Sequence, residues 1–139
     1  MKKTDLTFQF IPMPGVEGLE ICVLDVDLAR QIADAVFRFA PDKMIANHRH
    51  VSQTNMLILS GELIIYEDDG SVRDRRTAGN YYRGKRDDSH LEGGGPDGAI
   101  VFYSVRGHGD DTIIEILGEG DIVLGKLTFA DVKAMSNLG

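Results

Sequence analysis

Apolar residues recur along this chain in short runs broken by glycine, proline and acidic turns, a punctuation that predicts many short strands. Glu20–Val26 reads as one strand. Leu28–Ala40 fits two periods. Leu28, Ile32, Ala35, Val36 and Phe39 would share a helical face, whereas Ala35, Phe37 and Phe39 alternate with Val36 and Arg38 at strand spacing. The Pro41-Asp42 turn signal favours the strand. Ile45–Val51 and Asn55–Ser60 follow, then Gly61 and Glu62–Tyr66, closed as a hairpin by the acidic turn Glu67-Asp68-Asp69-Gly70. Ser71–Ala78 carries four charges and reads as an exposed connection or an edge strand. Asn80–Arg83, Ser89–Glu92, Ile100–Arg106, Thr112–Leu117 and Asp121–Lys126 supply further strands, with Gly93-Gly94-Gly95-Pro96 and Gly107–Gly109 as loops. Thr128 caps a last short helix, Phe129–Asn137, with Asp131 three residues on as an imperfect capping box. Met1–Gly18, with two prolines, reads as an irregular arm.

Composition narrows the class. The 139 residues are 42% apolar and 27% charged, which suits one globular domain spanning 1–139, with a barrel core over 35–127 and the short helix over 128–138. Sixteen glycines exceed the average usage of about 7% and agree with a strand-and-turn chain. The net charge of −7 argues against nucleic acid and anionic membrane as partners. The single cysteine, Cys22, cannot form an internal disulfide, so the fold does not depend on an oxidising compartment. Met1-Lys2-Lys3 mimics an export signal for three residues before Asp5, Gln9, Pro12 and Pro14 interrupt any apolar run. The longest apolar stretches, such as Ala99–Tyr103, fall far short of the roughly 20 residues of a spanning helix. A cytoplasmic location is expected.

The chemistry concentrates in the histidines, of which there are four: His48, His50, His90 and His108. His48 and His50 lie two apart in a predicted strand, so both rings would point to one face and could chelate one ion. A third ligand from another strand would complete one face of a coordination sphere.

The spacing around this pair resembles the cupin superfamily, small β-barrels that hold a metal in the barrel mouth. The first cupin motif reads G-x5-H-x-H-x3-E-x6-G. This chain has His48-x-His50, Thr54 in the glutamate place and Gly61 at the closing glycine, with Asp42 where the opening glycine should stand. The second motif reads G-x5-P-x-G-x2-H-x3-N. Gly79 and His90 fall on it at the right separation, while Lys85, Asp87 and Gly94 replace the proline, the second glycine and the asparagine. The resemblance covers roughly Ala35 to Lys126. It implies an all-β fold, a cupin-type antiparallel barrel or double-sheet jelly roll with a short C-terminal helix. It also implies metal ligation by His48, His50 and His90, and a homodimer.

Thr54 is the informative departure. Many cupins use three histidines and one glutamate. A hydroxyl is a poor ligand for a divalent ion, and the adjacent Gln53 would face the other way on a strand. Three neutral ligands would leave the +2 charge uncompensated, open to an anionic oxygen substrate. Among cupins, such a site resembles the acetylacetone-cleaving and dihydroxyacetophenone dioxygenases, to which Val36–His50 and the segment from Gly79 through Tyr81-Tyr82 to His90 are similar. The implied activity is a mononuclear non-haem Fe(II) dioxygenase that uses O2 to cleave a carbon–carbon bond in a diketone-like or hydroxyketone substrate. Zn(II), Ni(II), Mn(II) and Cu(II) are the other ions a nitrogen site could take. Thr54 would line the site. Glu92, two residues after His90, could be a fourth ligand, an acceptor for a histidine N–H, or simply solvated.

Other residues carry weaker signals. His108 sits in a glycine loop and reads as a surface histidine, or as an acid–base group over the barrel mouth. Tyr81, Tyr82, Phe102 and Tyr103 read as packing, with one tyrosine hydroxyl able to reach the pocket. Met44 and Met56 read as core or pocket wall, and Arg73, Arg75 and Arg76 as a solvated edge. Gly93–Gly95 lacks the Lys-Ser/Thr of a phosphate loop. Two other classes stand beside the oxygenase. One is a non-redox metal cupin of the isomerase or epimerase type. The other is a non-enzymatic sensor or ligand-binding cupin, for which only Leu28–Ala40 could supply a helical partner-binding segment.

Overall fold

A computed structural model describes residues 8–136. Residues 1–7 of the expected arm and positions 137–138 of the expected helix lie outside the described residues. The strands are β1 (Ile11–Pro12), β2 (Leu19–Asp27), β3 (Ile32–Phe39), β4 (Met44–His50), β5 (Gln53–Tyr66), β6 (Val72–Thr77), β7 (Tyr81–Tyr82), β8 (Asp88–Arg106), β9 (Thr112–Leu117) and β10 (Val123–Thr128), followed by helix α1 (Phe129–Met135). All pairings are antiparallel and join ten strands into one continuous sheet.

The long ribbon of β5 and β8 organises this sheet. The C-terminal part of β8 pairs with β3 from Ile32↔Arg106 to Phe39↔Ala99, and with β5 from Gln53↔Arg106 to Gly61↔Ala99. Its N-terminal part pairs with β4, where His48 lies opposite His90, and with β5 from Leu63↔Gly94 to Tyr66↔Leu91. One half of the barrel therefore runs β1-β2-β3-β8-β5-β7, and the other runs β10-β9-β4-β8-β5-β6. The inner faces of both halves share one core, built around Ile21, Phe39, Ile58, Leu63, Val101 and Phe129.

The corner where the ribbon passes between the halves explains the glycines. Gly61 has φ +73°, and a Cβ there would run into the Gly98 carbonyl. A Cβ on Gly94 would stand 2.6 Å from the Ala40 carbonyl oxygen. The Gly93-Gly94-Gly95-Pro96 run is thus not a loop, as its composition predicts, but the interior of β8. At Gly93 and Gly94 neighbouring backbone leaves no room for a Cβ, whereas Gly95 packs against the Glu62 side chain.

Other boundaries also differ from the sequence reading. The segment from Leu28 to Gln31 turns, and Ile32–Phe39 is strand, so the strand period prevails over the helical one. The arm contains β1, and the barrel begins at Leu19 rather than at residue 35. Gly61 does not end a strand; β5 continues through it with a register shift. The acidic turn joins β5 to β6 instead, and β6 pairs with β5 alone, as an edge strand. Glu119–Asp121 forms a 3-10 turn before β10. Helix α1 has a complete capping box: Thr128 Oγ1 accepts from the Asp131 N–H at 3.1 Å, and the Asp131 carboxylate accepts from the Thr128 N–H at 2.9 Å. Its buried residues Phe129, Val132 and Met135 join the shared core, and Val132 and Met135 also line the cavity described below.

Candidate metal centre

His48 and His50 sit two apart on β4, and His90 faces His48 across the β4–β8 pair. Strand alternation and register alone therefore bring three rings to one inner face. The ring centroids lie 4.9, 4.9 and 5.0 Å apart, close to an equilateral triangle. All three residues are buried, and one nitrogen of each lies within 4.8 Å of the others.

Neighbours fix which nitrogens face inward. Thr54 donates its single hydroxyl proton to the Ser52 carbonyl at 3.3 Å. Toward His50 Nδ1, also 3.3 Å away, it can then only accept. That holds the proton on Nδ1 and leaves the His50 Nε2 lone pair buried without a hydrogen-bond partner. The Asp88 carboxylate likewise accepts from His90 Nδ1 at 3.1 Å, so His90 Nε2 also turns its lone pair inward. Asp88 is in turn held by Arg73 at 3.3 Å.

Glu92 completes the cluster. It is buried, with Oε1 3.3 Å from His48 Nε2 and Oε2 3.3 Å from His90 Nε2. The Tyr103 hydroxyl donates to Glu92 Oε1 at 3.2 Å. His90 Nε2 and Glu92 Oε2 face one another without a hydrogen bond. Two acceptors meeting in a buried space need a cation between them, either a proton or a metal ion. The three histidines therefore fit a divalent metal, and the Glu92 carboxylate lies beside two of them. It comes from β8 rather than from the motif position on β5, so the expectation of a purely neutral environment does not hold.

Burial drives the titration behaviour of these groups. It pushes the His50 imidazole well below its usual value, and the neighbouring His48 adds to this. Burial alone would raise the Glu92 carboxyl. The facing His48 and His90, when protonated, outweigh it and hold that carboxyl well below the usual carboxylate range. The Tyr103 hydroxyl is pushed well up by burial and by the Glu92 charge.

His48 and His50 line a cavity of about 500 Å³, together with Thr54, Glu92 and Tyr103. Phe37, Phe39, Ile45 and Val105 wall it, as do Val132 and Met135 of α1.

The structure sorts the remaining candidates. Tyr103 is the tyrosine that reaches the site, whereas Tyr81 is exposed and Tyr82 lies under the Arg76 guanidinium at 4.7 Å. Gln53 turns away and donates to Asn55 Oδ1 at 3.1 Å. Met56 is core, but Met44, expected inside, is exposed. His108 is exposed on its loop and does not join the cluster. Arg73, Arg75 and Arg76 pair with Glu67, Glu62 and Asp74 along edge strand β6. Asp88 was not singled out from sequence; its signal is the same two-residue spacing to His90 that relates His48 to His50.

Solved structures similar to this chain share its fold. The acetylacetone dioxygenase of Acinetobacter johnsonii is 12% identical, with a TM-score of 0.77 over 99% of this chain and 90% of its own. A candidate acetylacetone dioxygenase of Methylibium petroleiphilum PM1 is 15% identical, with a TM-score of 0.76 over 98% and 99%. An RmlC-like cupin of Ralstonia eutropha JMP134 is 13% identical, with a TM-score of 0.78 over 94% and 80%. A search of curated proteins gave no significant match. The profile of the ChrR cupin-like domain matches residues 3–109, more than half of the chain. With the barrel architecture and the three-histidine cluster, this places the chain in the ChrR cupin-like family of the cupins.

Proposed function

We propose that this cupin is a mononuclear non-haem Fe(II) dioxygenase cleaving a carbon–carbon bond in a diketone-like or hydroxyketone substrate. The observation that carries the reading is the convergence of three buried histidines on one point beside an apolar cavity. Similarity in fold to an acetylacetone dioxygenase supports it. The bound metal would supply Lewis acidity and relay electrons from the substrate, which is the net reductant, to O2. His48, His50 and His90 would hold it, with Thr54 and Asp88 orienting two of the rings. Glu92 would either complete the donor set or take the acidic proton between two substrate carbonyls at Oε2, and Tyr103 keeps its other oxygen engaged. The apolar walls would exclude bulk water from the reacting carbons.

Oxygen uptake tests the reading. Protein reconstituted anaerobically with Fe(II) should consume O2 on addition of β-diketones or hydroxyacetophenones, and the Zn(II) form should not. Absence of uptake with metal bound would favour the non-redox metal cupin, a reading that Glu92 supports by offering a three-histidine, one-carboxylate set. A sensor module is favoured by the ChrR cupin-like match. The segment that could have supplied its helix is a strand over Ile32–Phe39.

A further inference from the structure

The cavity is much larger than a small diketone needs. At about 30 Å³ per water, its volume of about 500 Å³ equals roughly seventeen waters. A diketone of about seven heavy atoms would fill less than half of it. The polar lining residues are few. His48, His50, Thr54, Glu92 and Tyr103 lie together at the candidate metal centre, while Lys126 lies level with Glu115 and Arg49, whose side chains turn to the opposite face of the sheet. Apart from Asp131, the rest of the lining offers neither a charge nor a hydrogen-bonding side chain.

The chain makes this space with particular residues. Inward positions of β3 read Ala33, Ala35, Phe37, Phe39, two small then two large. Ala35 lies opposite Tyr103, and Ala33 opposite Val105, which is itself opposite Thr54. The small residues thus stand level with the polar groups, where larger side chains would close the cavity. Val132 and Met135 extend the apolar wall.

We infer that the substrate carries a bulky apolar substituent, an alkyl or aryl tail of at least about six carbons, seated between β3 and α1 while its oxygens face the histidines. This rests on the proposed reading that a ketone oxygen donor is anchored at the metal centre. Burying each added methylene should tighten binding about fourfold, until the cavity is filled.

The test is calorimetric titration of the Zn(II)-loaded protein, which cannot turn over oxidatively, with 2,4-pentanedione, 2,4-heptanedione, 2,4-decanedione and 1-phenyl-1,3-butanedione. Affinity should climb steeply along the alkyl series, and the phenyl compound should match its longer members. Ala35→Leu and Ala33→Leu, each still holding one zinc, should flatten the climb. A series that is flat or falling in wild type, or no binding of any member, overturns the inference. A steep series without O2 uptake in the Fe(II) form leaves the tail site standing and removes only the oxygenase.

Discussion

At His50 a single hydroxyl determines which nitrogen faces the cavity. Thr54 has one proton and spends it on Ser52, so it can only accept from the imidazole. Thr54→Val should therefore weaken metal affinity about 10- to 100-fold, with Thr54→Ser restoring most of it, measured by chelator competition. Glu92→Gln should weaken binding more than Tyr103→Phe does, because the first removes a carboxylate facing two histidine nitrogens and the second only its support. Equal effects would mean that the charge is not felt by the metal. Much of this centre was legible in the sequence. The His48-x-His50 pair needs only strand alternation, and His90 only the spacing to Gly79. The role of Glu92 was not, since it depends on β8 running straight through a glycine-rich run that reads as a loop. Nor could Tyr103 be chosen among the tyrosines, because its face follows from register shifts at Ile58/Ser60 and Gly61/Leu63 that no local pattern announces.

At the scale of elements, glycine carries two signals. Composition marks it as punctuation between strands, yet at Gly61, Gly93 and Gly94 it answers to crowding within continuous strands. The contrast is testable. Gly61→Ala should cost at least about 2 kcal/mol, because positive φ and a backbone clash act together. Gly70→Ala, at φ +87° with nothing within 4 Å, should cost about 1 kcal/mol. Equal losses by denaturant titration would remove the crowding argument. Helix α1 was legible because its signals are local. Its capping box predicts a loss of about 1 kcal/mol for Thr128→Ala. Phe129→Ala should cost about 3–5 kcal/mol, since the ring is fully buried in the shared core. The strand over Ile32–Phe39 was settled correctly by its turn signal, although its helical period was equally regular.

For the whole molecule, the β5–β8 ribbon joins both halves of the barrel, and the histidines sit where β4 meets it. Metal binding should therefore stabilise the fold as a unit. At a free metal concentration about 1,000 times its Kd, linkage adds about 4 kcal/mol, or a rise in Tm on the order of 10 °C. A chelator should reverse it. The fold class followed from many short strands at turn spacing, and the family from motif spacing. The cavity did not, because its width depends on which β3 residues face inward and on α1 lining it.

The most direct test is metal stoichiometry on protein purified without an affinity tag, wild type beside His90→Ala. About one divalent transition metal per chain, lost in the variant, is the predicted result. A wild type that stays metal-free after anaerobic addition of Fe(II) or Zn(II), or a variant that keeps its metal, would contradict the three-histidine centre.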